Sequence, residues 1–361
     1  MLTVTALADT DRRRGPVAPR EALTSFRRRH PALASCWVAV DLLLYAVVSA
    51  AIVAAPDLYK PILSILLAFV VARLFVLGHD ACHGSMFTSR AANQIVGRLT
   101  FLVSYTPYSL WDLGHNRTHH AFTNLKGHDY VWTPMSLADY RAASRPRRAL
   151  ERVYRTAAGH GLYYFLEIYL KKLIFPTRVQ VPERRAAYLW DSLLVAAFAA
   201  AQIAGLTAAA MATGQNAAWI VTAGFLLPFA AWNALMGFAI FLHHTHPDVA
   251  WFDDMSEWRA AEPQLRNAVH VILPFGLDAW LHHIMDHTAH HLDPLIPLFQ
   301  LPGAQAAVER RFDAKVHTWT PTLFLNTIRS CKLYDYDAHR WLDFAGRITA
   351  EVRVPRHSRT A

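Results

Sequence analysis

Four long apolar stretches constrain the fold of this chain more than any other feature. They occupy about residues 37–55, 61–78, 189–212 and 217–242. The hydrocarbon core of a bilayer is about 30 Å thick, and a helix of about 20 predominantly apolar residues can cross it. A helix also satisfies its backbone hydrogen bonds within the segment, as lipid requires. The sequence therefore predicts an all-α, integral-membrane fold with four transmembrane helices.

Short links join these stretches in two pairs. Residues 56–60 separate the first and second stretches, and residues 213–216 separate the third and fourth. Links of this length place consecutive helices side by side and antiparallel. We therefore expect two transmembrane hairpins. Asp41 and Arg73 fall inside the stretches, and because ionised groups are costly in hydrocarbon, we expect them to face protein or the headgroup boundary.

Basic residues indicate the orientation. Residues 1–36 and the segment His79–Tyr188 are rich in Arg and Lys, whereas the two links together contain one basic residue, Lys60. Arg and Lys concentrate in the cytoplasmic loops of membrane proteins. We therefore predict that both termini and the long polar segments are cytoplasmic. The expected domains are a cytoplasmic N-terminal segment (1–36), a membrane domain (37–301) and a cytoplasmic C-terminal region (302–361).

Two shorter apolar runs lie in the long middle segment, at Leu99–Leu110 and Leu162–Phe175. Both are too short to cross a bilayer. They predict helices that lie in the plane of the membrane or re-enter it. With the other polar segments, they are expected to form a cytoplasmic helical cap on the membrane helices.

Composition excludes several other classes of protein. Hydrophobic residues make up 53% of the chain and charged residues 17%, against roughly 45–50% and 25% in soluble domains. The net charge is +9, but the basic residues flank the apolar stretches, so we expect no nucleic-acid partner. Three cysteines without a CxxC pair argue against a disulfide-stabilised secreted fold. Residues 1–30 lack the apolar core of a cleavable signal peptide.

Histidines form clusters beside the predicted cytoplasmic ends of the spans. The sequence has 20 histidines, most of them in HDACH, HNRTHH, HHTH and HTAHH. Residues three or four apart share a helix face, so each cluster can direct its imidazoles at one point. Imidazole binds iron, zinc, copper or nickel, and eight such ligands exceed what one ion needs, so two ions are predicted. The eight are His79, His83, His115, His119, His120, His287, His290 and His291.

Other interpretations of the histidines must be compared with this one. A metal transporter or sensor would place its ligands along a path across the bilayer, whereas every cluster here lies at one predicted face. His282 and His283 receive no assigned role. Isolated histidines are expected to be surface or interfacial residues, namely His30, His160, His270, His317, His339 and His357.

The ordered clusters resemble the histidine boxes of the membrane fatty-acid desaturase superfamily, which read HxxxH, then HxxHH or HxxxHH, then HxxHH. The resemblance runs from about Val71 to Leu301. The flanking sequences VLGHDACHGSMF, HNRTHHAFTN and DHTAHHLDPLIPLFQL are similar to those of bacterial omega-6 (delta-12) desaturases. In the second box, three residues separate His115 from His119, where the family commonly has two. The resemblance implies that the eight box histidines bind two iron ions (Fe²⁺) in the cytoplasmic cap.

The superfamily often adds a ninth histidine at the cytoplasmic end of the fourth span. FLHHTHPDVAW resembles that segment, and His244 matches the ligand position best, with His243 and His246 left open. Some acyl-CoA members use an asparagine one turn earlier through a water, but Ile240 stands there in this chain. Acidic residues near the boxes are candidates to accept hydrogen bonds from the imidazoles. These candidates are Asp80, Asp112, Asp129 and Asp286.

The resemblance also implies an activity. Members use O₂ and reduced iron to remove two hydrogens from an acyl chain, which leaves a cis double bond, here of the delta-12/omega-6 type. The implied partners are membrane lipid, a fatty-acyl lipid, acyl-CoA or acyl-carrier substrate, and a ferredoxin or cytochrome b5-like electron donor. The implied location is a bacterial inner membrane. A hydroxylase or ketolase of the same superfamily, acting on alkanes, sterols or carotenoids, stays open because the boxes do not separate the two reactions.

Overall fold

Helices make up most of the first half of the protein. The computed structural model describes residues 19–181 and 185–354. Segments of 3₁₀ helix precede the first two α-helices at Glu21–Arg27 and Asp57–Tyr59. The α-helices here are α1 (Pro31–Ala54), α2 (Lys60–Cys82), α3 (Arg90–Leu102), α4 (Tyr108–Gly114), α5 (Leu137–Ala142), α6 (Arg145–Tyr154) and α7 (Gly159–Tyr163). Two π-helical segments continue α4 and α7, at His115–His119 and Tyr164–Ile174.

The second half adds nine α-helices and five short strands within the described residues. Its helices are α8 (Ala186–Ala212), α9 (Ala217–Val221), α10 (Leu227–His244), α11 (Met255–Ala260), α12 (Pro263–Arg266), α13 (Leu277–Trp280), α14 (His287–Leu292), α15 (Leu301–Arg311) and α16 (Pro321–Ser330). A π-helical segment, Thr222–Leu226, joins α9 to α10, and 3₁₀ turns occur at Pro274–Gly276 and Leu298–Gln300. The strands are β1 (His270–Ile272), β2 (Val316–Thr318), β3 (Leu333–Asp335), β4 (Arg340–Leu342) and β5 (Ile348–Glu351). Strands β1 and β2 pair in parallel, and β3, β4 and β5 form an antiparallel sheet.

Four helices of the described chain are long and apolar enough to cross a membrane, which confirms the predicted all-α fold with four spans. They are Pro31–Ala54, Asp57–Cys82, Ala186–Ala212 and Ala217–His244. In the most apolar window, 61% of the Asp57–Cys82 residues are buried, against 17% for α8. The second span is therefore the centre of the bundle, whereas α8 exposes apolar side chains as a lipid-facing helix does.

The spans differ from their predicted bounds at the ends. Helix α1 begins at Pro31 rather than near residue 37, because a proline fits the first helical turn. The second span continues past Gly78 to Cys82, which carries the first histidine box into the helix. Residues 1–18 of the predicted N-terminal segment lie outside the described residues, as does His357. The domain boundaries and the cytoplasmic orientation stay predictions.

The apolar run Leu99–Leu110 is divided between two helices. Helix α3 ends at Leu102 and α4 begins only at Tyr108. Pro107 disfavours a helical conformation at the residue before it, and Tyr105 takes a left-handed φ of 54°. The hydroxyl groups of Ser104 and Thr106 also hydrogen-bond each other at 3.0 Å. The second apolar run, Leu162–Phe175, is helical as expected, through α7 and the π-helical segment after it.

The ionised residues inside the spans face protein, as expected. The Asp41 carboxylate is fully buried and accepts hydrogen bonds from Arg73 at 2.9 Å and from Nε2 of His282 at 2.6 Å. The indole of Trp37 stacks on His282 with ring centroids 4.5 Å apart, and the Arg73 guanidinium lies 4.6 Å from the ring of Trp280. This network joins α1 and α2 to the segment before α14. Removal of one partner would be destabilising because it would leave a buried charge unpaired.

The two hairpins meet at their short links. The Lys60 ammonium is buried and donates to the Ala55 carbonyl at 2.6 Å, to Asp57 at 2.8 Å and to the Gln215 side chain at 2.9 Å. Four residues further along α2, the Ser64 hydroxyl donates to the Ala223 carbonyl at 2.6 Å. These contacts hold the second and fourth spans together at the end of the bundle opposite the histidines.

Candidate metal centre

Nine histidines converge into two adjacent groups. In each group the candidate ligand atoms all lie within 4.8 Å of one another. The two groups adjoin, since the rings of His120 and His291 stack with centroids 4.2 Å apart. The first imidazole group is His79, His83, His115, His120 and His290, and the second imidazole group is His119, His244, His287 and His291. The structure therefore brings together all nine residues singled out as ligand candidates.

Four elements present these side chains. Helix α2 ends with His79 and His83 one turn apart, which places both in the first group, as their spacing predicts. His244 is the last residue of α10. Helix α14 serves both groups, because His290 faces the first, while His287 and His291 face the second. The expectation that all three histidines of the third box point at one place was therefore wrong.

The second box divides differently from its predicted pattern. His115 and His119 do not share a target: His115 belongs to the first group with His120, and His119 belongs to the second. The reason is the π-helical segment His115–His119, in which the amide of His120 donates to the carbonyl of His115 at 2.9 Å. In π-helix, residues five apart are one turn apart. The π-helical turn thus accommodates the additional residue in this box and returns His120 to the side of His115.

The nitrogen positions fit bound metal better than hydrogen bonds alone. Nε2 of His115 lies 2.7 Å from Nε2 of His79 and 3.0 Å from Nε2 of His120, which is itself 3.1 Å from Nε2 of His290. A ring nitrogen of neutral imidazole is either a hydrogen-bond donor or an acceptor. A nitrogen that lies between two other ring nitrogens can therefore form a hydrogen bond with only one of them. With metal–nitrogen bonds of about 2.0–2.1 Å, ligands at right angles lie about 3 Å apart.

Burial keeps six of these histidines in the form that binds metal. Desolvation lowers the pKa of the imidazole well below its ordinary value of 6.5, and the neighbouring histidines lower it further. Neutral imidazole is the metal-binding form because its lone pair is free. The groups outside the spans that show this lowered pKa are His83, His115, His120, His287, His290 and His291.

An apolar cavity of about 270 Å³ opens onto both groups. Its walls come from α2, the π-helical segment after α7, α10 and the segment before α14. Predicted ligands at the cavity wall are His79, His115, His119, His244 and His287. Apolar residues around them include Phe75, Trp111, Ile168, Leu235, Leu277 and Trp319. A cavity with this lining excludes water and suits a long aliphatic group.

Comparison with known proteins identifies the family. The sequence pattern of the family described as "Fatty acid desaturase" matches residues 58–322. The chain belongs to the fatty acid desaturase family. This confirms the resemblance given by the boxes.

Individual relatives of this desaturase-family chain are distant. It is 28% identical over 275 residues to an sn-1 oleoyl-lipid 12-desaturase of Picosynechococcus sp., covering 75% of each chain. It is 28% identical to the enzyme of that name from Synechocystis sp., covering 72% of each chain. A chloroplastic omega-6 fatty acid desaturase of Arabidopsis thaliana is 26% identical, and the match covers 73% of this chain but 57% of the relative. The chain thus spans little more than half the length of that plant relative.

The three histidines at the end of the fourth span, His243, His244 and His246, have different surroundings. Nε2 of His244 lies 3.0 Å from Nε2 of His287, inside the second imidazole group. His243 stacks on His287 with centroids 3.7 Å apart, but its Nε2 contacts the Met285 sulfur at 3.2 Å. His246 points elsewhere and stacks on His317. Of the three, His244 is the one placed as the ninth-ligand prediction requires.

One of the four acidic candidates contacts a predicted ligand. Both carboxylate oxygens of Asp129 lie 3.1 Å from Nδ1 of His119, and Asp129 also accepts backbone hydrogen bonds from Asn124 and Val131 at 2.9 Å. A carboxylate held in this way fixes the orientation of the imidazole and leaves Nε2 for the metal.

The prediction was wrong for the other three acidic residues. Asp80 accepts a hydrogen bond from the Leu298 amide at 3.3 Å, because its position next to His79 turns it about 100° around the helix. Asp112 accepts a hydrogen bond from Asn116 at 2.8 Å. Asp286 lies 3.0 Å from His270, which belongs to neither group.

Several contacts at the site could not be predicted from sequence patterns. The Thr123 hydroxyl lies 3.2 Å from Nδ1 of His291, and the Asn267 carbonyl lies 3.3 Å from Nδ1 of His244. Both residues come from loops without a periodic pattern, so no spacing argument could identify them. Two isolated histidines were also predicted wrongly as surface or interfacial residues: His160 is buried beside Trp132, and His339 is buried with Nε2 2.9 Å from Glu257.

Proposed function

We propose that this protein is an O₂-dependent fatty-acyl desaturase with two irons. The observation that carries the proposal is the position of the two imidazole groups at the wall of an apolar cavity. Such a cavity can hold an aliphatic chain with its methylenes beside two metal ions. Removal of hydrogen from an unactivated methylene needs an oxidant stronger than any side chain, which bound iron and O₂ would supply.

The proposed ligands are the nine histidines of the two groups. His79, His83, His115, His120 and His290 would hold one iron, and His119, His244, His287 and His291 the other. The protein's own contribution is to keep these imidazoles neutral, to orient them and to exclude water from the acyl chain. Asp129 orients His119 by its contact with Nδ1.

The cavity walls would determine which methylenes react. Phe75 and Trp111 pack edge to face with ring centroids 4.8 Å apart, and the ring of His115 stacks on Trp111 at 4.9 Å. These rigid rings connect the cavity wall directly to a proposed ligand. An acyl chain held against them would present a defined pair of carbons to the irons. The names of the cyanobacterial relatives favour carbon 12 of an oleoyl lipid.

The proposal includes partners that lie outside this chain. An acyl lipid, acyl-CoA or acyl-carrier substrate would enter from the membrane or its surface. A ferredoxin or cytochrome b5-like protein would supply electrons. The histidine groups and both termini would face the cytoplasm of a bacterium, at its inner membrane.

Product analysis tests the function. The full-length chain is expressed in a bacterium supplied with oleate, together with a ferredoxin and its reductase, and lipids are analysed by gas chromatography–mass spectrometry. We expect a 9,12-diene that disappears with His290→Ala and persists with His128→Ala, a control at an exposed histidine. Hydroxylated acyl chains in place of a diene would assign the protein to the hydroxylases. Absence of any product from iron-loaded protein would contradict the proposal.

Labelling tests the orientation. Leu58 is exposed in the link between the first two spans, and Arg145 is exposed at the start of α6. In a variant with Cys36 replaced by Ser, we expect an impermeant thiol reagent to label Leu58→Cys in intact cells. Arg145→Cys should react only after permeabilisation. The reverse pattern would place the histidine groups outside the cytoplasm.

A further inference from the structure

A third group of candidate ligands lies apart from the two imidazole groups. His246, Asp248 and His317 bring one possible ligand atom each to within 4.8 Å of one another. His246 and Asp248 lie in the loop that leaves α10, and His317 is the central residue of β2. His246 belongs to the HHTH cluster, yet it faces away from the second imidazole group. The desaturase function proposed above uses none of these three side chains.

Both histidine side chains approach the same carboxylate oxygen of Asp248. Nδ1 of His246 contacts Oδ1 of Asp248, and Nε2 of His317 lies 3.6 Å from the same oxygen. The two imidazole rings stack with centroids 3.8 Å apart and an interplanar angle of 27°. Two nitrogens from different elements therefore converge on one carboxylate oxygen.

Hydrogen bonds within this third group do not give every ring nitrogen a partner. Nε2 of His317 is shielded from solvent and has no hydrogen-bond partner among the described residues. A buried polar atom without a partner is unfavourable. One divalent cation bound by both nitrogens and the carboxylate would satisfy all three groups at once.

The surroundings leave room for an ion. Asp248 is half-exposed and borders an open depression of about 330 Å³, which acidic and basic side chains line together. The neighbouring Lys315 ammonium donates to the backbone carbonyl of Asp248, so its hydrogen bond does not occupy the carboxylate. Two imidazoles and one carboxylate with open positions form a ligand set that suits borderline divalent metals such as Zn²⁺.

We propose that His246, Asp248 and His317 form a third metal site that binds a borderline divalent cation, with Zn²⁺ as the best match. The ion would clamp the loop after α10 to β2. That loop follows His244 directly, and β2 leads into Trp319, whose amide donates to the Ile272 carbonyl at 2.9 Å and whose side chain lines the apolar cavity. The site would thus stabilise two walls of the cavity without contacting substrate.

Metal content tests the site in purified full-length protein. Protein is equilibrated with Zn²⁺, desalted and analysed by mass spectrometry for zinc and iron per chain. We expect wild type to hold one more tightly bound ion than His317→Ala and Asp248→Asn, and His128→Ala to match wild type. Equal metal content in wild type and both variants would overturn the proposal, as would binding that is removed from all four proteins by the same wash.

A second measurement tests the site even if one of the variants fails to fold. Wild-type protein with its iron sites filled should gain thermal stability on addition of micromolar Zn²⁺, and Asp248→Asn, which is nearly isosteric, should gain none. An equal gain in both proteins would contradict the site. The same preparations are assayed for the diene product. Zinc that depends on His317 in protein without desaturase activity would support the third site and contradict the proposed function, so the two proposals fail separately.

Discussion

The two imidazole groups differ in how the protein holds them. In the second group, Nδ1 of His119 contacts Asp129, Nδ1 of His244 contacts the Asn267 carbonyl, and Nδ1 of His291 contacts Thr123. In the first group, Nδ1 of His79, His120 and His290 is buried and has no partner among the described residues, whereas in the second group this holds for His287 alone. The difference indicates that the protein orients three of the four imidazoles of the second group before metal binds. The first group depends more on its metal for orientation.

Loss of a proposed ligand is expected to have the largest effect. His290→Ala and His291→Ala change neighbouring residues of α14 that belong to different groups. Because loss of a residue that merely orients a ligand typically costs 10- to 100-fold, loss of a ligand should reduce product by about 100-fold or more. We expect the same for alanine at His79, His83, His115, His119, His120, His244 and His287, with little change for His128→Ala.

Iron content in these two variants sharpens the comparison. Each variant should retain about one tightly bound iron. The iron left in His290→Ala occupies the second group, which has its own protein contacts, so a chelator should remove it more slowly than the iron left in His291→Ala. Equal removal rates would show that the Nδ1 contacts do not distinguish the groups. Full diene production by either variant would contradict the ligand assignment.

Acid is expected to destabilise the metal-free protein. Burial, followed by the neighbouring histidines, lowers the pKa of His83, His115, His120 and His290 in the first group, and of His287 and His291 in the second. The unfolded chain binds protons below the ordinary pKa of 6.5, whereas the folded chain does not. The stabilisation is therefore complete above that pH and is lost as the pH falls, by up to about 1.4 kcal/mol per histidine and pH unit.

Thermal unfolding measures this loss. The melting temperature of metal-free protein should fall by several degrees between about pH 7.5 and pH 5.5. Metal bound to the neutral imidazoles competes with protons, so iron-loaded protein should keep its melting temperature over more of this range. A metal-free protein whose stability is constant or increases toward pH 5.5 would refute the assignment of neutral buried histidines.

Loss of Asp129 should affect the second group selectively. Asp129→Ala removes the acceptor from Nδ1 of His119, and we expect a 10- to 100-fold loss of iron affinity or product. Asp129→Asn keeps one acceptor oxygen and should lie between Ala and wild type. Asp112→Asn is the matched control, since Asp112 contacts Asn116 rather than an imidazole. Equal loss in the two Asn variants would indicate a general effect on folding.

Repeated, local patterns in the sequence predicted the fold and eight of the converging histidines, and the resemblance to the desaturase superfamily added His244. Apolar stretches long enough to span a membrane define four helices, and histidine spacing defines helix faces. It predicted the partition between the groups wrongly, because His115 and His120 share a side only when their segment is π-helical. One π-helical turn changes which residues lie on the same side of the helix. The three- and four-residue spacings of an α-helix do not predict such a turn.

Contacts that join distant loops could not be predicted either. Asp80 lies inside a box and Asp112 three residues before one, yet of these three candidates only Asp129, nine residues after a box, reaches an imidazole. The direction of each carboxylate depends on the helix face or turn that carries it, which tertiary packing decides. The same limit applies to Thr123 and Asn267, whose sequence neighbourhoods resemble any polar loop.

Thr123→Val is expected to have the smallest effect and to test the comparison most finely. The Thr123 hydroxyl donates to the His119 carbonyl at 2.8 Å and lies 3.2 Å from Nδ1 of His291. Valine keeps the shape but removes this contact, whose net worth is about 1 kcal/mol, so product or iron affinity should fall by roughly fivefold. His291 would then resemble the first-group imidazoles that lack an Nδ1 partner, and iron should leave the second group faster. An unchanged rate of iron loss would mean that packing alone, rather than the Nδ1 contact, holds His291 in place.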